Sequence, residues 1–172
     1  MAEIEWGTIA DWVSGLGSLA AAGVALYVAN SAQRVKLKGY CSHRLIIGLA
    51  QPQEDVFSVQ VTNVSQRPTV VTNIGFTFGL WRWKRHGFFT FVQDDIGHGI
   101  PKPLSDGETG NWNARLGPGN RWIKDLAEKF SVTRFSVLTW RIYIHTSNSG
   151  TTTFRPEKNI RDMLLAHVKL LK

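Results

Sequence analysis

The chain has 172 residues, enough for one small domain with an appended segment and too few for two full domains. Its hydrophobic share of 43% and charged share of 19% exclude general disorder. Residues 1–33 carry three acids and no Lys or Arg, whereas residues 34–172 carry all 20 cations against 10 acids. Such a cationic remainder favours an anionic partner, namely nucleic acid, a nucleotide or acidic lipid, although many soluble domains are basic without one.

The N-terminal segment from Trp12 to Gln33 contains no charged residue. As a helix it would be about 33 Å long, close to the hydrocarbon thickness of a bilayer. Its acidic flank does not fit a signal peptide, and the cations Arg34, Lys36 and Lys38 follow directly. We therefore predict a single-pass membrane protein with residues 1–38 as the membrane segment and its basic juxtamembrane end. Residues 39–172 would form a cytoplasmic domain, with the N-terminus outside.

Small residues recur every four positions in this segment, in two rows that include residues 14, 18 and 22 and residues 21, 25 and 29. Such rows let helices approach closely in lipid, so they predict a homo-oligomer. An alternative is a soluble protein whose first helix packs on its own domain. The predicted oligomer-forming residues are Ser14, Gly15, Ser18, Ala22, Ala25 and Ala29.

Beyond Gly39 the hydrophobic period changes from helical to alternating. Segments 57–62, 74–78 and 138–145 alternate apolar and polar residues, and Gly- and Pro-rich turn signals separate them. This pattern predicts a mainly β domain with helices, built as an immunoglobulin-like β-sandwich or a small barrel. Residues 59–71 are similar to a tight hairpin of such a sandwich.

Two helices are predicted in this domain. One covers about Arg121–Phe130. The other is a C-terminal amphipathic helix with Pro156 near its first turn, where a missing N–H does no harm. The apolar stripe of this second helix comprises Ile160, Met163, Leu164, His167, Val168 and Leu171.

The sequence shows no nucleophile elbow, no phosphate-binding loop and no pair of metal-ligating cysteines, so we expect a non-enzyme without cofactor or metal. Cys41 lies two residues from His43, but a buried thiol is the favoured interpretation. Asp94, Asp95 and His98 would suit a divalent cation, although a solvated turn is favoured for this Gly-rich loop.

The most informative segment is 81–86, which places two tryptophans beside three cations and a histidine. If it is extended, residues 81, 83 and 85 face one side and residues 82, 84 and 86 the other. Cations hold phosphate and aromatic rings stack on bases, so the segment predicts binding of an anionic nucleotide or single-stranded oligonucleotide. Alternatively, the tryptophans are core residues, or the segment lies against anionic headgroups. The predicted ligand-binding residues are Trp81, Arg82, Trp83, Lys84, Arg85, Arg115, Arg121, Trp122, Lys124, Arg141 and Tyr143.

An N-terminal membrane helix followed by a basic cytosolic domain resembles the small membrane effectors of bacterial anti-phage systems, and is closest in plan to the channel effector of the Hailong system. The resemblance lies in the architecture and assigns no residue. It implies an oligomeric effector in the bacterial inner membrane, a ligand-gated pore whose cytosolic domain binds a nucleotide or oligonucleotide signal. The alternative is a membrane-tethered, immunoglobulin-like adaptor or phage exclusion protein that binds another protein.

Overall fold

A computed structural model describes residues 9–47, 53–91, 93–148 and 150–170. The chain divides into two compact units, Met1–Arg34 and Val35–Lys172. The first contains one long helix, α1 (Ile9–Ala32), in which no residue is buried. This helix is long enough and apolar enough to cross a membrane, as predicted.

The second unit contains two antiparallel sheets. Sheet A has the strand order β1-β2-β6, and sheet B has the order β4-β3-β7-β8, with the short β5 also paired to β3. The strands are β1 (Leu37–Ile46), β2 (Glu54–Asn63), β3 (Thr69–Phe78), β4 (Arg85–Phe88), β5 (Lys102–Leu104), β6 (Thr109–Arg115), β7 (Arg141–Thr146) and β8 (Gly150–Phe154).

Helices occupy the connection between the sheets and the end of the chain. They are α2 (Arg121–Lys129), α3 (Arg134–Leu138) and α4 (Lys158–Leu170). The predicted mainly β fold with a C-terminal helix is therefore confirmed. The strand pairing is compatible with an immunoglobulin-like sandwich, which stays a prediction.

An aromatic cluster around the buried Phe57 joins sheet A to sheet B and to α2. The ring centroid of Phe57 lies 4.9 Å from that of Phe89, which follows β4, and 6.5 Å from that of Trp140, which precedes β7. Trp122 of α2 stacks on the same ring at 4.7 Å. Such ring pairs add to the free energy gained from burying large apolar side chains, so this cluster holds the layers together.

The connection from β2 to β3 differs from the predicted hairpin. The two strands lie in different sheets, and residues 64–68 carry the chain across between them. The buried Asn63 directs this crossing, because its side-chain amide donates to the carbonyl oxygens of Arg67 at 2.7 Å and Leu104 at 3.1 Å. Its side-chain oxygen accepts from the hydroxyl and backbone N–H of Ser65. The hairpin prediction was wrong because hydrophobic alternation does not reveal which sheet a strand joins.

The predicted strand over residues 138–145 begins later than expected. Residues 134–138 form α3, whose first turn is capped by the Thr133 hydroxyl accepting from the N–H of Ser136. Leu138 is therefore an exposed helical residue, and the strand begins at Arg141. The helix predicted at 121–130 is confirmed as α2.

The C-terminal helix also agrees with its prediction. Ile160, Leu164 and Val168 are buried on one face of α4, at the spacing expected of an amphipathic helix. Leu171, the last member of the predicted stripe, lies outside the described residues. Pro156 precedes the helix by two residues.

Replacing Phe57 by Ala should lower the free energy of unfolding by about 3–5 kcal/mol, because it leaves a cavity where three other rings meet. Denaturant unfolding of the detergent-solubilised chain, followed by tryptophan fluorescence, measures this loss. The control is Val64→Ala, since Val64 is half exposed and should change stability by less than about 0.5 kcal/mol. A loss below about 1 kcal/mol at Phe57 would show that the cluster does not hold the sheets together.

Candidate anion-binding groove

The outer face of sheet B carries a groove of about 560 Å³. Strand alternation creates it, since Ile142 and Ile144 of β7 are buried against the core and send the intervening side chains to the other side. Arg141, Tyr143 and His145 therefore line the groove together, as the polar face of one strand. Strands β3, β4 and β8 add the remaining walls.

The charged residues that line the groove are all basic. Three fixed cations, Lys84, Arg141 and Arg155, share it with the imidazoles of His86 and His145. Among the residues that the structure describes, none that lines the groove is Asp or Glu, so the described lining supplies no carboxylate to neutralise these cations. A concave surface with one sign of charge concentrates ions of the opposite sign.

Hydroxyl groups add neutral hydrogen-bonding capacity. Thr77, Thr139, Thr151 and Thr153 line the groove beside the cations. The hydroxyl of Thr151 lies 2.8 Å from Nδ1 of His145, which fixes the position of that ring. The groove thus combines fixed charge with donors and acceptors, the combination that holds phosphate oxygens.

The floor of the groove is the ring of Tyr143, which extends across Gly75 of the neighbouring strand. A Cβ atom at Gly75 would lie 2.3 Å from this ring and 2.6 Å from the carbonyl oxygen of Gly87. The Tyr143 hydroxyl donates to that same carbonyl oxygen at 3.1 Å, so the side chain spans three strands. Burial raises the pKa of this phenol above its usual value.

Other rings surround this floor. Phe88 meets Tyr143 edge-on at 5.8 Å between centroids, and the imidazole of His145 lies 5.1 Å away. Phe88 is 61% exposed, so it presents an open aromatic surface beside the cations. Exposed aromatic surface next to fixed positive charge is the arrangement that suits a nucleotide.

The structure brings three of the predicted ligand-binding residues, Lys84, Arg141 and Tyr143, into this groove. Residues 81–83 are not extended, as the alternation argument assumed, but form a 3-10 turn. The reason is Gly79, whose φ of 91° ends β3 and starts the connection to β4. Trp83 therefore lines a different cavity. Arg82 is exposed and does not line the groove on sheet B. The backbone of Trp81 forms part of the turn.

Other predicted residues have partners within the protein. The guanidinium of Arg85 donates to the carbonyl oxygens of Phe130 and Ser131, fastening β4 to the end of α2. Trp122 packs in the aromatic cluster around Phe57.

Arg115 lies in an ion-pair cluster away from the groove. Its guanidinium contacts Glu54 at 2.8 Å, Asp94 at 3.2 Å and Asp95 at 2.8 Å. Hydrogen bonding to Arg115 holds the pKa of the Asp95 carboxyl below its ordinary value. Three carboxylates therefore already neutralise Arg115, and Asp94 and Asp95 are both engaged in ion pairs with it.

The remaining predicted residues lie elsewhere. Arg121 and Lys124 are exposed on α2 and do not line the groove. Of the juxtamembrane cations, Arg34 ends the first unit, whereas Lys36 precedes β1 and Lys38 lies in it, with its ammonium 5.5 Å from the ring centroid of Tyr40.

The site prediction omitted one whole wall of the groove. Thr151, Thr153 and Arg155 alternate along β8 and its end, a period that the sequence displays. His86 and Phe88 come from β4, whose four residues are too few for alternation to be recognised. Cross-strand register, which pairs His86 with Thr77, places them in the groove.

The side chains considered in the sequence as a nucleophile or as metal ligands lie in surroundings that account for them structurally. Burial raises the pKa of the Cys41 thiol well above its ordinary value, and a protonated thiol is a poor nucleophile. Nδ1 of His98 lies 3.0 Å from the carbonyl oxygen of Asn111. Among the described residues, no group of three or more His, Cys, Asp or Glu could hold a metal ion.

Comparison with known proteins found no protein family whose model matches the chain and no curated protein with significant similarity to it.

Replacing Gly75 by Ala should destabilise the domain by about 1–3 kcal/mol, because the added Cβ overlaps both the Tyr143 ring and the Gly87 carbonyl oxygen. Thermal unfolding monitored by circular dichroism measures this change. Thr153→Ala, opposite Tyr143 on β8, is the control and should have little effect because it removes atoms from the exposed wall. Equal melting temperatures for Gly75→Ala and the wild type would contradict the placement of the ring.

Proposed function

We propose that this chain is a membrane-anchored receptor whose groove on sheet B binds an anionic nucleotide or oligonucleotide, and that the bound ligand controls an oligomeric pore formed by copies of α1. The domain would lie in the cytoplasm of a bacterium and the helix in its inner membrane. The place in anti-phage defence rests on the resemblance in architecture.

The observation that carries this proposal is the lack of carboxylates in a groove that Lys84, Arg141 and Arg155 line. Placing three cations in one concavity costs electrostatic free energy unless an anion neutralises them. The aromatic surface of Phe88 and the hydroxyl-bearing wall of β8 then favour a ligand with both phosphate and a flat ring over a simple inorganic anion. A nucleotide meets both requirements.

The membrane part of the proposal is supported by α1. Its small residues form rows at four-residue spacing, and the Ser18 hydroxyl donates to the carbonyl oxygen of Ser14 at 3.0 Å, within the helix. Rows of this kind allow close helix–helix contact in lipid. A ligand that binds one arrangement of the domains more tightly would shift the population of pore states.

Reversing charge in the groove tests the ligand. The chain in neutral-lipid nanodiscs should bind a fluorescein-labelled single-stranded oligodeoxynucleotide or labelled ATP, with affinity that falls as salt rises. Arg141→Glu and Arg155→Glu should each weaken binding at least tenfold, as expected for a charge-assisted contact worth about 1.5–3 kcal/mol. Fluorescence anisotropy measures the dissociation constants.

The matched control is Arg67→Glu, an exposed arginine that does not line the groove and carries the same charge change. If Arg67→Glu weakens binding as much as Arg141→Glu, the attraction is a general property of a basic protein. If no probe binds to the wild type, the receptor proposal fails.

Enlarging the small-residue row tests oligomerisation. Ser18→Leu should lower the molar mass of the protein in detergent, measured by light scattering after size exclusion, because the larger side chain separates the helices. Leu19→Val, which changes a neighbouring apolar residue and leaves the row intact, should have no effect. A wild-type chain that is monomeric in detergent would contradict the pore.

The second candidate is a tethered adaptor that binds a protein and no nucleotide. An apolar surface at one end of the domain, which shares only Gly79 and Leu80 with the groove, favours it. Under this alternative, a Lys84→Glu, Arg141→Glu and Arg155→Glu triple variant would retain biological activity. Under the receptor proposal the same variant would lose it together with ligand binding.

A further inference from the structure

A second exposed surface lies where the turn after β3 meets α3. Trp83 is 85% exposed, and Leu80, Phe135 and Leu138 are 56%, 58% and 59% exposed. A cavity of about 330 Å³ lies between the turn and the helix. We call Leu80, Trp83 and Phe135, which line this cavity, the apolar patch. Exposed apolar residues grouped around a cavity are typical of an interaction surface.

The backbone beneath the patch is fixed. The left-handed Gly79 starts the turn, and its N–H donates to the hydroxyl of Thr139 at 2.9 Å, which ties the turn to the end of α3. A hydrogen bond from the N–H of Trp83 to the carbonyl oxygen of Leu80 closes the turn. An indole presented on a fixed backbone loses little conformational entropy on binding, which is the property of interface hot spots.

The charges beside the patch are basic. Arg82 precedes Trp83 in sequence, and Arg134 begins the helix that carries Phe135. Both are exposed, and among the described residues none that lines the cavity is Asp or Glu. Charge complementarity therefore selects an acidic partner that presents apolar anchors.

The patch lies at the end of the domain opposite to the point where the chain enters it. The chain enters the domain at Val35, and Leu37 pairs with Asn63 at one end of sheet A. β3 begins at that same end, because its first residue, Thr69, pairs with Leu104. The side chain of Asn63 is hydrogen bonded to the carbonyl oxygen of that same Leu104. The patch follows the far end of β3, about 30 Å along the strand.

We infer that the apolar patch is a docking surface for an acidic protein segment, one that inserts apolar side chains between the turn and α3 and pairs its carboxylates with the surrounding cations. This surface is independent of nucleotide binding in the groove. It meets the groove only at Gly79 and Leu80, which line both cavities.

A labelled peptide tests this inference on the whole chain in phosphatidylcholine nanodiscs. The probe is a fluorescein-labelled helical peptide of about 14 residues, with Leu and Phe at i, i+3, i+4 and i+7 spacing and Glu elsewhere. Two comparison peptides replace Glu by Lys, or Leu and Phe by Ser. The acidic apolar peptide should bind at least tenfold more tightly than either.

Variants assign the binding to the patch. Trp83→Ala and Arg134→Glu should each weaken binding of the acidic apolar peptide at least tenfold. Tyr40→Ala, which removes an exposed aromatic ring from sheet A, should leave the affinity unchanged. Arg141→Glu should leave peptide binding intact, which separates this test from that of the groove. The inference is overturned if the three peptides bind equally, or if Trp83→Ala has no effect.

Two other occupants give different results. Flotation of the nanodisc-held protein with added phosphatidylserine vesicles, abolished by Trp83→Ala, would overturn the inference in favour of a lipid surface. A molar mass in detergent that falls on Trp83→Ala would overturn it in favour of a second copy of the chain.

Discussion

The packing of sheet A against sheet B through the ring of Phe57 is the interaction on which the rest of the domain depends. This cluster fixes which side chains of sheet B face the core. Because side chains alternate along β7, the remaining ones must lie on the outer face. Because Ile142 and Ile144 are buried, the exposed Arg141 and the half-buried His145 lie on the outer face of the sheet. The groove on the outer face of sheet B is thus a consequence of the core.

The two surfaces that carry the proposals differ in chemistry. The groove is cationic and hydroxyl-rich with an aromatic floor, and Tyr143 can lie on that floor because Gly75 has no side chain. The patch is apolar with a cationic rim and depends on the left-handed turn at Gly79.

Several cations that appear equivalent in the sequence have different roles in the structure. Arg115 has carboxylates on three sides, and Arg85 serves backbone carbonyls at the end of α2. Arg141 and Arg155 line a groove whose described residues include no acid. Net charge therefore predicts that the domain attracts anions, but only the arrangement of neighbours decides which arginines are available to hold one.

The sequence by itself determined the long apolar helix, the mainly β character of the domain and the faces that β2, β3 and β7 bury. These features follow from the hydrophobic periodicity of short segments, which can be recognised from neighbouring residues in the sequence. It also placed Lys84, Arg141 and Tyr143 among the ligand-binding candidates. Tertiary structure alone decided that β2 and β3 join different sheets and that residues 81–83 turn. It likewise brought Arg155 beside Arg141, because sheet membership and cross-strand register depend on contacts between distant segments that no local pattern encodes.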